Sequence, residues 1–191
     1  MTDTLMHKVP RSEMPEGVRA MAERAEGVTG DATIIDVFAN SPSAMAFFGN
    51  DFYGKLFYGG SVPVKLKELA RIKLSKVHGC QFCNRHNTAE SLAAGITQAQ
   101  IQALDAYEEG PFDGPEKAAL RLADQIALTN MQGQLTQPLY DALKQYFDDG
   151  QIIELAMVMA VLGGLNKMAF VLNLVEKEAY CPFQPAAAAA E

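Results

Sequence analysis

Apolar residues recur every three or four positions along most of the chain, and proline and glycine divide this pattern into segments of helical length. A first helix is predicted at 15–26, and a second begins near Asp31, whose side chain is a good N-cap. A third begins at Ser41 and Pro42, with proline at the first helical position, and ends at 59–60. No alternating run of Val, Ile or Thr indicates a strand. The pattern therefore predicts an all-α fold.

The downstream half of the chain continues the helical pattern. Its last segment is strongly apolar and contains Gly163 and Gly164 midway, which predicts a kink or a close helix contact. No repeat or linker divides the chain, so we expect one domain over 1–191 with a disordered, alanine-rich tail at 185–191. The further helices are predicted at 64–77, 80–94, 97–110, 115–130, 136–147 and 151–180.

Composition narrows the class of protein. The 191 residues are 49% hydrophobic and 20% charged, which excludes a disordered chain. The net charge of −7 argues against a general nucleic-acid binder, which needs a basic surface. The N-terminus has no signal-peptide pattern, and the most apolar run, 155–165, is too short to span a bilayer. We therefore expect a soluble, cytoplasmic protein with neither nucleic acid nor membrane as a partner.

The chain has three cysteines, an odd and low number that does not indicate a secreted disulfide scaffold. Cys80 and Cys83 lie three residues apart, a spacing that in a reducing compartment indicates redox or metal chemistry. Cys181, between Tyr180 and Pro182, has no evident partner and is expected to be a small buried hydrophobic residue.

The segment 64–97 carries the candidate chemistry. A break at Gly79 would fold two helices into a hairpin, so that Glu68 can lie opposite 83–87. Both cysteines would then occupy the first turn of the second helix, where free N–H groups and the helix dipole favour a thiolate. Such a pair suits thiol–disulfide exchange. His86 is three residues from Cys83 and could exchange a proton with it.

Less specific interpretations of the same residues stay open. The basic helix could be an exposed face, with Glu68 a solvated charge paired with Arg71. A zinc site is a further alternative, although four ligands within nine residues would strain a helix. The four possible ligands are His78, Cys80, Cys83 and His86.

This segment resembles the core of the alkylhydroperoxidase D-like proteins within the carboxymuconolactone decarboxylase superfamily. In that pattern a glutamate precedes a Cys-x-x-Cys pair by eleven intervening residues, as Glu68 precedes Cys80 and Cys83. The resemblance is specific over 64–97 and weaker as far as 167. The family's histidine falls at the position of Asn87, which cannot shuttle a proton near neutral pH. Either His86, one residue earlier, substitutes for it, or the relay is broken and peroxidase activity is slow or directed to another oxidant.

The resemblance implies a helical fold, assembled as a trimer or hexamer, that works as a thiol-dependent hydroperoxide reductase without cofactor or metal. It implies that Cys83 is peroxidatic, Cys80 resolves, and Glu68 belongs to a proton relay. The reductant would be a dithiol partner of the lipoyl or thioredoxin-like type. Helix-dipole reasoning instead favours Cys80 as the more acidic thiol.

The alternative functions are a lactone decarboxylase, whose branch of the superfamily generally lacks the cysteine pair, and a non-catalytic zinc-binding helical oligomer. For the peroxidase we expect a mostly apolar pocket, lined by Phe82 and by Phe48 or Phe52.

Overall fold

The computed structural model describes residues 3–183, so the tail predicted at 185–191 lies outside the described residues. Within that range the chain forms nine α-helices and no strand, which confirms the predicted all-α fold. The helices are α1 (Glu16–Thr29), α2 (Thr33–Phe38), α3 (Pro42–Ala46), α4 (Val64–His78), α5 (Gln81–Ala93), α6 (Gln98–Gln102), α7 (Gly114–Ile126), α8 (Gln137–Lys144) and α9 (Asp149–Val171).

The third predicted helix changes its winding. Helix α3 begins where predicted, with the Ser41 hydroxyl accepting a hydrogen bond from an N–H in the first turn, but continues as a π-helix over Phe47–Phe57. The wider turn brings residues five apart into register. Aromatic side chains occupy those positions, with ring centroids 4.8 Å apart for Phe48 and Tyr53 and 5.8 Å apart for Tyr53 and Tyr58. Contacts between these rings favour the π-helical winding.

Helix α4 lies at the centre of the fold. It packs against α5, α7 and α9, and most of its residues are buried, including the whole stretch 66–75. Lys67, Arg71 and Lys73 are buried, whereas Lys65 in the first turn keeps a side chain that is 41% exposed. The interpretation of this helix as an exposed basic face is therefore wrong.

Each buried cation of α4 is compensated by an acid or by carbonyl oxygens, as burial of charge requires. Lys67 lies 2.6 Å from the Glu154 carboxylate, and Lys73 lies 3.2 Å from Asp124. The acids come from α9 and α7, far away in sequence. These pairs hold α4 in register against its neighbours.

Helix α9 is continuous through Gly163 and Gly164, and neither glycine is required by a close helix contact, because a Cβ on Gly164 would meet nothing within 4 Å and one on Gly163 would make ordinary contacts only. A Cβ on Gly163 would lie 3.9 Å from the His78 ring. The helix ends at Val171, nine residues before the predicted end, because Asn173 adopts a left-handed conformation (φ 52°) and reverses the chain. The following segment returns to the α4–α5 turn, where the Gln81 N–H donates to the Glu176 carbonyl.

With 23 residues and an 18-residue window whose mean hydropathy is 1.6, α9 is long and apolar enough to cross a membrane, although core helices of soluble proteins meet the same criterion. One side of it packs in the core. The opposite side is exposed and consists of small and apolar residues apart from Asp149 and Lys167. The exposed positions on this side are Asp149, Ile153, Met157, Ala160, Gly164, Lys167 and Val171.

Candidate active site

The α4–α5 turn brings the cysteine pair to the start of α5, as the sequence predicts. Gly79 ends α4 in a left-handed conformation (φ 66°), and a Cβ there would lie 2.6 Å from the Cys181 Cα. Cys80 is the N-cap of α5, and its sulfur accepts a hydrogen bond from the Cys83 N–H at 3.2 Å. Only glycine suits this turn, because it needs both a positive φ and close backbone approach.

Cys80 and Cys83 are joined by a disulfide, with their Cα atoms 5.2 Å apart. The two sulfurs have different surroundings. Cys80 is fully buried, whereas Cys83 is half-buried and lines a cavity. A molecule in the cavity would therefore meet Cys83 first.

The cavity has a volume of about 410 Å³ and lies between α1, α2, the π-helix, α5 and α9. That volume is within the range of small-molecule sites. Phe48 and Phe82 line it, whereas Phe52 is buried behind it, so two of the three predicted aromatic residues face the cavity. Its other apolar lining residues include Met21, Ile34, Phe38, Met45, Leu162 and Leu165.

Glu68 lies behind the cavity wall rather than in it. It is buried on α4, and its carboxylate accepts a hydrogen bond from Arg71 at 2.5 Å. Burial raises the pKa of Glu68, and the Arg71 guanidinium opposes that rise. Arg71 itself lines the cavity and donates to the Tyr53 hydroxyl at 3.3 Å. Glu68 therefore acts on the cavity through Arg71.

His86 and Asn87 both line the cavity from α5. The His86 ring stacks on Phe82 with centroids 6.0 Å apart. Burial, and then the positive charge of Arg71, lower the pKa of His86, so its ring is neutral near pH 7. Its buried Nδ1 has no hydrogen-bond partner among residues 3–183. Because Nδ1 is buried, the other ring nitrogen is the one through which His86 could contact a molecule in the cavity.

Two polar residues behind Cys83, His78 and Asn166, were not among the predicted catalytic residues. Burial lowers the pKa of His78 to about 4. Its Nε2 accepts a hydrogen bond from the Leu128 N–H at 3.0 Å, and its Nδ1 lies 3.1 Å from the side-chain amide of Asn166. The other end of that amide lies 3.1 Å from the Cys83 sulfur. An asparagine within the apolar run of α9 is the one sequence signal that could have indicated it.

The geometry gives no support to the zinc alternative. Both ring nitrogens of His78 face protein groups, and Cys80 and Cys83 are bonded to each other. In the described part of the chain, no group of three or more His, Cys, Asp or Glu side chains could hold a metal ion. Cys181 is buried, as expected, but its thiol has a partner, since it donates to the His78 carbonyl at 3.0 Å.

Fold and site together define a class: an all-helical protein whose cysteine pair, at the turn of a helical hairpin, borders an apolar cavity. The model of the carboxymuconolactone decarboxylase family matches residues 42–125, which include Glu68, Cys80, Cys83 and His86. These matches support an assignment to the superfamily of the alkylhydroperoxidase D-like proteins and carboxymuconolactone decarboxylases, as the sequence resemblance predicts.

Similar proteins fit this assignment. The uncharacterized protein YdfG of Bacillus subtilis (strain 168) is 29% identical over 114 residues, which are 59% of this chain and 77% of that protein. An alkylhydroperoxidase AhpD core structure, an uncharacterized peroxidase-related protein from Ralstonia eutropha JMP134, has a TM-score of 0.68 at 18% identity, covering 91% of this chain and 92% of the other. The apo debrominase Bmp8 has a TM-score of 0.72 at 22% identity, covering 93% and 94%.

Proposed function

We propose that this protein is a thiol-dependent oxidoreductase that reduces hydroperoxides at Cys83. The observation that carries the proposal is the asymmetry of the cysteine pair: Cys83 borders the cavity, and Cys80 is fully buried within disulfide distance behind it. This asymmetry supports Cys83 as the attacking thiol. It outweighs the helix-dipole argument for Cys80, whose sulfur no cavity substrate reaches directly.

The chemistry balances with these two thiols alone. The Cys83 thiolate attacks the outer oxygen of the hydroperoxide, the O–O bond breaks, and an alcohol leaves after protonation. The Cys80 thiol then attacks the resulting sulfenic acid, which releases water and forms the Cys80–Cys83 disulfide. An external dithiol attacks the disulfide at Cys83, is itself oxidised to a disulfide, and returns both cysteines to thiols.

The polar cavity residues have separate roles in this proposal. Neutral His86 accepts the proton of the Cys83 thiol and returns it to the leaving alkoxide. Asn87 can only hold a hydrogen bond, so the proton passes through His86. Glu68 neutralises Arg71 in the wall and fixes the guanidinium that faces the substrate.

The substrate is expected to be an apolar hydroperoxide, because most of the cavity lining is apolar or aromatic. The reductant is a dithiol partner. A lipoyl-type dithiol on a slender arm suits the half-buried Cys83 better than a broad protein surface does.

A stoichiometric titration tests the proposal. Reduced protein receives one equivalent of an organic hydroperoxide, and the Cys80–Cys83 disulfide is followed by timed quench and peptide mass. We expect fast, saturable formation, abolished in Cys83→Ser and unchanged in the control Cys181→Ser. Formation no faster than in an ordinary free dithiol would overturn the proposal. A lactone decarboxylase activity would instead survive alkylation of both cysteines.

Reductive dehalogenation of an aromatic compound is a second candidate. The debrominase Bmp8 shares the fold, and a cysteine-to-alanine variant of it is known in complex with 2,3,4-tribromopyrrole. The aromatic cavity beside Cys83 favours this candidate. In that reaction the Cys83 thiolate takes the halogen, the aromatic carbon takes a proton, and Cys80 then displaces halide to form the disulfide. Halide release per disulfide formed would separate it from hydroperoxide reduction.

The exposed apolar side of α9 supports a homo-oligomer, which we propose as a trimer or hexamer. Its members recur every three or four residues, so they form one continuous stripe along the helix. Ile153 and Val171, near its two ends, are 66% and 69% exposed. Light scattering of the purified protein should show the oligomer, and Met157→Glu should dissociate it. A monomeric wild-type protein would refute this part of the proposal.

A further inference from the structure

We infer that the amide N–H of Asn166 donates a hydrogen bond to the Cys83 sulfur, and that His78 fixes this orientation of the amide. Asn166 would then be a catalytic residue that stabilises the thiolate, and His78 its positioning residue. The consequence for turnover rests on the proposed function, but the hydrogen bonding does not.

The first argument starts from His78. Its Nε2 lies 3.0 Å from the backbone N–H of Leu128, which can only donate, so Nε2 carries no hydrogen. The ring is buried and neutral, and a neutral imidazole carries one hydrogen, which must then be on Nδ1. The structure places Asn166 Nδ2 3.1 Å from Nδ1, but the atom at this position must accept that hydrogen, so we assign it as the amide oxygen, with the amide O and N exchanged.

The second argument starts from the disulfide. A sulfur bonded to another sulfur carries no hydrogen, so Cys83 Sγ can only accept a hydrogen bond. The structure places Asn166 Oδ1 3.1 Å away, and this position must then hold the amide nitrogen instead. Both arguments give the same orientation. The reverse orientation would set oxygen against sulfur at one end and N–H against N–H at the other.

When the disulfide is reduced, this N–H favours the Cys83 thiolate over the thiol. A hydrogen bond to a charged acceptor is worth more than one to a neutral acceptor, so the donor lowers the pH at which Cys83 ionises. It acts together with the charged and titratable cavity groups, which are Arg24 of α1, Arg71 of α4, His86 and Glu90 of α5, and the hydroxyls of Tyr53 and Tyr58.

The pH dependence of Cys83 alkylation tests the inference without any peroxide. With Cys80→Ser and Cys181→Ser as background, Cys83 is the one thiol that iodoacetamide can alkylate. Asn166→Leu removes the donor without adding charge, and the midpoint of the rate profile should rise by about one pH unit. The control Asn84→Leu, whose amide faces Glu178 and Tyr180 outside the cavity, should leave it unchanged.

Asn166→Asp removes the hydrogen-bond donor to Cys83 but keeps an acceptor for His78. The introduced carboxylate still accepts from His78 but cannot donate to the sulfur, so the midpoint should also rise. If the added negative charge alone were responsible, Asn166→Asp would shift the midpoint and Asn166→Leu would not, and that result would overturn the inference.

The tautomer of His78 provides a measurement on the unmodified protein. Long-range ¹H–¹⁵N spectra should show a protonated Nδ1 and a bare Nε2 in the folded state. A protonated Nε2 would overturn the inference. Neither experiment uses a hydroperoxide. Both would therefore still test the hydrogen bond if the hydroperoxide titration gave no disulfide.

Discussion

The buried ion pair between Lys67 and Glu154 ties the central helix to the cavity wall. Lys67 is fully buried, and its ammonium lies 2.6 Å from the Glu154 carboxylate. Glu154→Gln keeps the shape of the side chain but leaves the lysine charge without a counterion. The pair also holds the end of the π-helix and the following turn. The Lys67 ammonium donates to the carbonyls of Leu56 and Phe57. The Glu154 carboxylate accepts hydrogen bonds from the N–H groups of Ser61 and Val62.

The structure sets the size of the expected loss. Burial alone would raise the pKa of Glu154, but hydrogen bonds from Lys67, Val62 and Ser61 outweigh it and hold the pKa at about 2 instead of 4.5. A difference of about 2.5 pH units corresponds to roughly 3 kcal/mol of folding free energy. The Glu154 side chain is 12% exposed, but its carboxylate also bonds the exposed Ser61, so solvent screening makes this figure an upper value. Breaking a buried pair costs about 3–5 kcal/mol, and we expect about 3 kcal/mol for Glu154→Gln at pH 7.

Urea unfolding at several pH values measures this loss. The folded-state pKa of Glu154 lies below the unfolded one, so its stabilisation is present above about pH 4.5 and is lost as the pH falls towards 2. The difference between wild type and Glu154→Gln should therefore narrow over that range. Asp51→Asn, which breaks an exposed pair with Lys55, is the control and should cause little loss. A difference that does not vary with pH would refute the reasoning.

Three further predictions concern the two ends of the cysteine-bearing helix and the cavity. Gly95→Ala should lower the free energy of unfolding by about 1 kcal/mol, because Gly95 has a positive φ but open surroundings. Gly79→Ala should lower it more, because the added Cβ would also meet Cys181. Chemical denaturation of the two variants compares these losses. Burial and Arg71 lower the pKa of His86, so peroxidase activity should persist below pH 6.5 and fall only at more acidic pH. In His86→Gln this fall of the pH–rate profile at acidic pH should be absent. Phe48→Ala should enlarge the cavity and lower the KM of bulky hydroperoxides relative to small ones; equal KM changes would contradict the assigned cavity wall.

Local sequence signals account for the parts of the fold that were predicted well. Helix α4 runs from Val64 to His78, within one residue of the predicted 64–77, because Pro63 and Gly79 impose backbone conformations that begin and end it. In place of the predicted helix 97–110, the structure has the shorter α6 followed by a 3₁₀ turn at Leu104–Ala106. No proline or glycine marks the point where α6 ends. Boundaries without a strong cap depend on packing that the sequence pattern does not contain.

The sequence by itself determined the helical class, the hairpin turn at Gly79 and the position of both cysteines at the start of α5, since each follows from backbone preferences of adjacent residues. Tertiary structure decided which cysteine borders the cavity and which is buried. It also decided that Lys67, Arg71 and Lys73 of α4 are buried, and that Asn166, 83 positions from Cys83, contacts its sulfur. These features arise from packing between residues far apart in the chain, and periodicity within one helix carries no information about its partners.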